Sequence, residues 1–419
     1  MQEEYLHYLW RMKRLKFNDL KLTDHSSIDV LDPGWYNLDA GPDFFNGSVQ
    51  IDGINWYGNI ELHIQSSDWY AHGHQNDTSY NNVILHVVYN HDKEVLINGK
   101  PIPTLELKNQ IDDNHHSNYL KILKSRKIIP CADVLMNHKK ALENQIEKSF
   151  FHRLERKGLE LLNQSSQNDR YSLFLRSIFQ AVAGRVNKLP MQELASILPY
   201  QMIWKEAWSQ KRIEALVFGC SGLLRGISYD EYSRSLWEEW LFLKRKYNLS
   251  EMNKKSWKFG GVRPPSFPTV IIAQVCALIP QFPFQNHTKR TAKEWMEVVG
   301  QLSPRFIHNY WKTHYVFGKL TTDRKVSFSS QFKQNLIING LVPFFSALKH
   351  STNDFIFQYR ALELITATPP EKNRIINEWK EIGIKPKNAL ETQGLLELKN
   401  EFCTFKKCLS CEVGKESLQ

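Results

Sequence analysis

The chain has 419 residues, 42% of them hydrophobic and 12% aromatic, with 12 Trp, a composition that fills cores and excludes wholesale disorder. Its 54 Lys and Arg against 44 Asp and Glu give a net charge of +10. The charge is uneven: residues 1–125 carry 10 basic and 17 acidic side chains, net −7, while residues 126–419 carry 44 and 27, net +17.

In chain order, residues 5–17 read as a short amphipathic helix. The acidic start, Met1-Gln-Glu-Glu, is unlike a signal peptide. From 28 to 108 the runs 28–31, 48–52, 58–64, 82–89 and 94–97 alternate or are β-branched, and Pro33-Gly34, Gly41-Pro42, Asp52-Gly53 and Asn98-Gly99 punctuate them. Strands joined by tight turns are expected there, with hairpins at Asp52-Gly53 and Asn98-Gly99. From about 140 the period is helical, over 142–162, 171–185, 191–208, 213–224, 229–247, 269–279, 291–300, 332–348, 354–367, 370–382 and 389–401. The longest apolar run, 270–279, contains Gln274 and stops at Pro280, far short of the ~20 residues of a membrane helix. The expectation is a cytoplasmic α+β protein without a membrane partner. A strand-rich domain over 1–125 is followed by a linker over 126–140 and a larger, mostly α-helical domain over 141–419.

Within the strand region Pro42-Asp43 precedes the Asp52-Gly53 turn and Glu61-Leu62-His63 follows it, with Glu61 18 residues beyond Asp43. A hairpin of that size brings its ends together, and Glu61 and His63 share one face of a strand. Neighbouring carboxylates bind Mg²⁺ or Mn²⁺, and such an ion activates water and stabilises phosphoryl charge. Asp43, Glu61 and His63 are therefore the expected catalytic set. The pattern resembles the PD-(D/E)XK nuclease superfamily: Pro-Asp, then (Asp/Glu)-X-Lys on the next strand, with His63 standing where the lysine would be. The resemblance implies a restriction-endonuclease-like fold and metal-dependent cleavage of nucleic acid. A true Glu-X-Lys at Glu106-Leu107-Lys108 lies 63 residues beyond Asp43 and requires the strand over 58–64 to be inserted.

Five of the 15 histidines fall between 63 and 91: His63, His72, His74, His86 and His91. On an extended segment His72-Gly73-His74 puts both rings on one face, so His72 and His74 join Asp43 and Glu61 as expected metal ligands. Histidines in a polar loop are the plainer alternative.

The chain ends in Cys403, Cys408 and Cys411, spaced C-x4-C-x2-C. With Cys131 or a His as a fourth ligand they suit an iron–sulfur cluster or Zn²⁺, with Lys406 and Lys407 favouring the thiolates. Cys220 and Cys276 stand among apolar neighbours and read as buried thiols. In the basic half Lys244, Arg245, Lys246, Lys254, Lys255 and Arg263 are candidate contacts to a nucleic-acid backbone. Trp257 is a candidate for base stacking, and a solvated helix face accounts for the charge run equally well.

The string 40–44 (Ala-Gly-Pro-Asp-Phe), 58–63 (Gly-Asn-Ile-Glu-Leu-His), Ser67-Asp68-Trp69, His72-Gly73-His74, Tyr80 and 83–88 is similar to the bacterial family catalogued as domain of unknown function 2851. Arg263-Pro264, Phe267-Pro268 and the terminal cysteines extend the resemblance. It implies a bacterial protein and no particular activity. Three functions are therefore expected in order: a metal-dependent nuclease or nuclease-derived nucleic-acid-processing protein, a non-catalytic nucleic-acid- or protein-binding scaffold, and a small-molecule metalloenzyme built on His72 and His74.

Overall fold

The structure, a computed structural model, describes residues 1–15, 19–37, 39–111, 113–164, 169–226 and 230–418. The chain forms two compact units, Met1–Leu142 with Glu401–Gln419, and Glu143–Asn400. The expected division differs in two ways. The boundary falls in the first turns of the helix Lys139–Leu162 rather than in a linker over 126–140. The cysteine-bearing tail belongs to the strand-rich unit and not to the helical one.

In the first unit, helix α1 (Glu3–Arg11) buries Tyr5, Leu6, Leu9 and Trp10, with Glu3 and Glu4 in its first turn and Arg11 in its last, an order that suits the helix dipole. It is shorter than the helix expected over 5–17; residues 16 and 17 lie outside the described residues. Strands β1 (Ile28–Asp32), β2 (Trp35–Tyr36), β3 (Phe44–Ile51) and β4 (Ile54–Gln65) follow. β1, β3 and β4 pair in an antiparallel meander, and β2 pairs with β3. At the β3–β4 turn Asp52 and Gly53 have φ of 45° and 81°, the positive pair that a tight two-residue hairpin needs.

A crossover through the short helix α2 (Asp68–Ala71) leads to β5 (Val83–Asn90), parallel to β4. The small hairpin β6 (Leu96–Ile97) and β7 (Lys100–Pro101) precedes β8 (Thr104–Glu106), parallel to β5. The main sheet runs β1-β3-β4-β5-β8. Alternation along the strands divides its faces. Ile60, Leu62, Leu85, Val87 and Leu105 share one core with Tyr5, Leu6, Leu9 and Trp10. Glu61, His63 and His86 point the other way, and Trp69, Tyr80, Val83, Val95 and Ile102 form a separate apolar cluster. β5 separates β4 from β8, so Glu106 pairs with Val88 at the sheet's far side, where its Oε1 accepts the His91 N–H (3.0 Å). Asp43's carboxylate neighbour is thus Glu61, not Glu106.

The second unit is helical around one core that includes Phe174, Phe218, Trp240, Trp295, Trp311 and Phe344. The expected helix over 191–208 is two helices, Lys188–Ile197 and Tyr200–Glu206, divided at Pro199, which biases the residue before it away from the helical region. The helix expected over 229–247 spans Glu231–Tyr247, and residue 229 lies outside the described residues. Among the described residues, no helix is long and apolar enough to cross a membrane.

Candidate metal centre

Phe44 pairs with Ile60 across β3 and β4, so Asp43, one residue before β3, stands beside Glu61. Each carboxylate is held by the other's strand. The Asp43 backbone N–H donates to Glu61 Oε2 (3.0 Å), and the Leu62 backbone N–H donates to Asp43 Oδ2 (2.9 Å). His7 of α1 joins them, with Nε2 3.2 Å from Asp43 Oδ2. Gly58 permits the close approach of β4 and β5: a Cβ there would lie 2.5 Å from Ile84 Cγ2 and 2.6 Å from the Asn82 carbonyl oxygen.

Glu61 and His63 face the crossover, and Glu61 is in register with His86 of β5. His63 Nδ1 lies 2.8 Å from His86 Nε2, which leaves His63 Nε2 turned toward the crossover, 3.1 Å from His72 Nδ1 and 3.6 Å from Glu61 Oε1. His74 Nε2 is 3.3 Å from the same carboxylate oxygen. The expected extended His72-Gly73-His74 segment is instead a turn. His72 ends α2, and Gly73 adopts the left-handed region at φ 78° and ψ 18°, a conformation glycine takes without steric cost. The rings still converge: His63, His72 and His74 each offer a donor atom, all within 4.8 Å of one another.

The surroundings hold this group in place. Trp69 is fully buried and meets His63, His74 and His86 edge-on, at centroid distances of 6.4, 5.4 and 5.4 Å. Tyr80 stacks on His74 at 3.9 Å. At the start of the crossover the Ser67 N–H and hydroxyl both donate to Asp92, at 2.9 and 2.7 Å. His63 is buried while His72 is exposed, so the cluster is open on the His72 side.

Burial and the neighbouring imidazoles push the His63 pKa down to about 2, and burial drives His86 down to about 3. Both rings are therefore neutral, the state in which imidazole ligates a metal. Burial raises the Glu61 pKa despite the opposing His74 contact. Burial alone would lower His7, but the hydrogen bond and charge of Asp43 outweigh it and the pKa is raised.

Imidazole nitrogens lie about 2.0–2.1 Å from Zn²⁺, so tetrahedral donors are about 3.4 Å apart. The separations of 3.1, 3.3 and 3.6 Å among His63, His72, His74 and Glu61 suit that spacing, and the donor set favours a borderline transition ion over Mg²⁺. Asp43 was expected among the metal ligands, but its Oδ2 is engaged by the Leu62 N–H and His7. His86 and His7 are the residues whose part the sequence left open. Histidine density was the only signal for the first, and nothing local marked the second.

The other expected centres fare differently. Among the described residues, Cys131, Cys403, Cys408 and Cys411 form no disulfide. Cys131 interacts with Cys411 and Cys408; burial, then those two neighbours, push its pKa up to about 12. Burial and Cys411 raise Cys408 to about 11, so these thiols hold their protons. Among the described residues only the three histidines form a group with converging metal-donor atoms. In the helical unit Lys244 pairs with Glu251 and Lys246 with Glu206, each at 2.6 Å, so both charges are met by carboxylates. Trp257 is buried and its indole N–H donates to the Ser221 carbonyl (2.9 Å), which corrects the expectation of a ring free to stack on a base. Arg245, Lys254, Lys255 and Arg263 are exposed.

A family model described as protein of unknown function (DUF2851) matches residues 3–374. No curated protein and no solved structure matches the chain.

Proposed function

The chain belongs to the family described as protein of unknown function (DUF2851), and from its geometry we propose that the first unit is a metal-dependent hydrolase acting on phosphodiester bonds. The observation that carries this proposal is the convergence of His63, His72 and His74 beside the Glu61 carboxylate. The three imidazoles would hold a divalent transition metal, which would supply Lewis-acid polarisation of a phosphoryl oxygen and a more acidic water. His86 sets the orientation of His63 through Nδ1, as second ligating partners do in metal sites. Glu61, whose pKa burial raises, moves the proton of the attacking water. Asp43, itself paired with His7, stands beside Glu61. The pairing of Pro42-Asp43 with Glu61-Leu62-His63 on neighbouring strands supports a phosphodiester as the bond attacked.

Metal analysis and cleavage assays test this together. The full chain should retain about one Zn²⁺ or Mn²⁺, His72→Ala and His74→Ala should lose it, and Glu61→Gln should keep it. Cleavage of DNA or RNA should fall by about 10²–10⁴ in Glu61→Gln, the range for loss of a proton-transfer group. A chain that retains no transition metal and cleaves no nucleic acid would overturn the proposal.

A second reading rests on the crossed backbone hydrogen bonds that set Asp43 beside Glu61: Mg²⁺ or Mn²⁺ held by those two carboxylates. Under it Asp43→Ala abolishes cleavage while His72→Ala leaves it intact.

A further inference from the structure

The helical unit carries a cavity of ≈ 550 Å³ whose lining includes Arg305, Lys312, Arg324 and Lys325 with Asp323 as its carboxylate. The segment around 312–324 brings two of these together: the Arg324 backbone N–H donates to the Lys312 carbonyl (3.0 Å). The Arg324 guanidinium is held in place. It lies 4.4 Å from the Tyr315 ring centroid and donates from Nη2 to the Trp311 carbonyl (2.6 Å). Its Nε is buried without a hydrogen-bond partner. Arg305, Lys312 and Lys325 are exposed.

Several cations elsewhere in the unit are neutralised. Arg156, Lys157, Arg212, Lys244 and Lys246 each pair with a carboxylate within 3 Å. Among the described residues, none of the four cavity cations forms an ion pair, although Asp323 lines the same wall. Four cations gathered around one cavity repel one another unless an anion joins them. A guanidinium flanked by flexible lysine charges suits phosphate oxygens. Lys244 and Lys246, expected from the charge run to meet a nucleic-acid backbone, are neutralised in place, whereas Arg305, Lys312, Arg324 and Lys325 line one cavity.

We propose that this cavity binds the phosphate backbone of a nucleic acid. It rests on the proposed hydrolase only for the choice of a polynucleotide over a free phosphate compound. The cavity supplies affinity, and the histidine cluster plays no part in that affinity.

Anisotropy of a labelled single-stranded oligonucleotide on the full chain, titrated with salt in EDTA, tests the site without turnover. Lys312→Glu with Lys325→Glu should reduce the slope of log Kd against log salt by about two, one per lost phosphate contact, and weaken binding roughly tenfold. Arg324→Gln should weaken it as well. Lys385→Glu with Lys387→Glu, the same charge change at exposed positions elsewhere on the unit, should leave the slope unchanged. Equal effects of the two lysine pairs, or no oligonucleotide binding, would overturn the site. Binding of ATP or inorganic phosphate that is lost in the cavity variants, with no oligonucleotide binding, would reassign it to a free phosphate ligand. Salt-dependent binding without cleavage by any metal-loaded form would sink the hydrolase and leave the cavity standing.

Discussion

Glu214 shows how far one side chain can depart from its usual chemistry in this protein. It is 1% exposed in the helical unit, and its oxygens accept from the Tyr232 hydroxyl (2.9 Å) and Gln210 Nε2 (3.3 Å). Burial outweighs both donors and raises its pKa from 4.5 to about 7. The folded chain therefore holds this proton more tightly than the unfolded chain. The associated stability is complete below pH 4.5 and is lost as pH rises through about 7. Glutamine keeps an acceptor for Tyr232, and its amide N–H can meet Gln210 Oε1, a buried acceptor with no partner. Glu214→Gln should gain on the wild type by about 3 kcal/mol between acid and about pH 8. Urea unfolding at both ends of that range checks it; an offset independent of pH would refute it. At the histidine cluster the residue types were legible, since His63, His72 and His74 stand in the histidine-dense run that begins two residues beyond Glu61. The partners of His63 and Asp43 were not. His86 reaches His63 through a parallel register and His7 reaches Asp43 from a helix, and neither relation leaves a local trace.

Elements were legible where backbone chemistry is local. Asp52-Gly53 marked its hairpin because glycine accepts a positive φ without steric cost. Helix continuity was overread at prolines. Pro199 divides one expected helix, and the expected helix over 332–348 is interrupted by a π-turn, Ile337–Leu341, directly before Pro343. A proline there lacks the N–H of the α-ladder and crowds the preceding turn. Packing between elements is harder to foresee. Gly219 of the helix Gln210–Cys220 meets Trp240 of the helix Glu231–Tyr247, and a Cβ would lie 2.0 Å from the indole Cδ2. The ring is fully buried, with its N–H donated to Glu251 (3.2 Å), so it cannot swing aside. Gly219→Ala should cost about 3 kcal/mol, at the upper end for overpacking. Gly300→Ala, with nothing within 4 Å of the added carbon, should gain about 0.5 kcal/mol from reduced backbone freedom. Chemical denaturation of the pair checks both signs; similar losses in both would refute the packing account.

At the scale of the molecule the charge division takes a different form. With its C-terminal segment the first unit holds 17 Lys and Arg against 21 Asp and Glu, net −4, and the second holds 37 against 23, net +14. The proposed metal site and the proposed polyanion cavity lie in different compact units, so stabilisation by a bound metal should be local. A divalent metal at about 100 times its Kd should add about 2.7 kcal/mol to the opening of the unit that binds it. Hydrogen exchange should report that gain in β4 and β5 and no change in Gln210–Cys220 or Glu231–Tyr247. Equal protection in both units, or none in the strands, would refute it.

The sequence by itself determined the α+β class, the meander around its glycine turns, the helical second half and the stretch that supplies the clustered histidines. These depend on periodicity, turn chemistry and residue type, all of which act over a few positions. Only the tertiary structure decided that the tail from Glu401 joins the strand-rich unit, that His63, His72 and His74 converge while His86 orients one of them, and that Trp257 is core. It also decided which cations lack a carboxylate. Each of these depends on distances between residues remote in the chain, and burial and pairing energies follow those distances rather than spacing along the sequence.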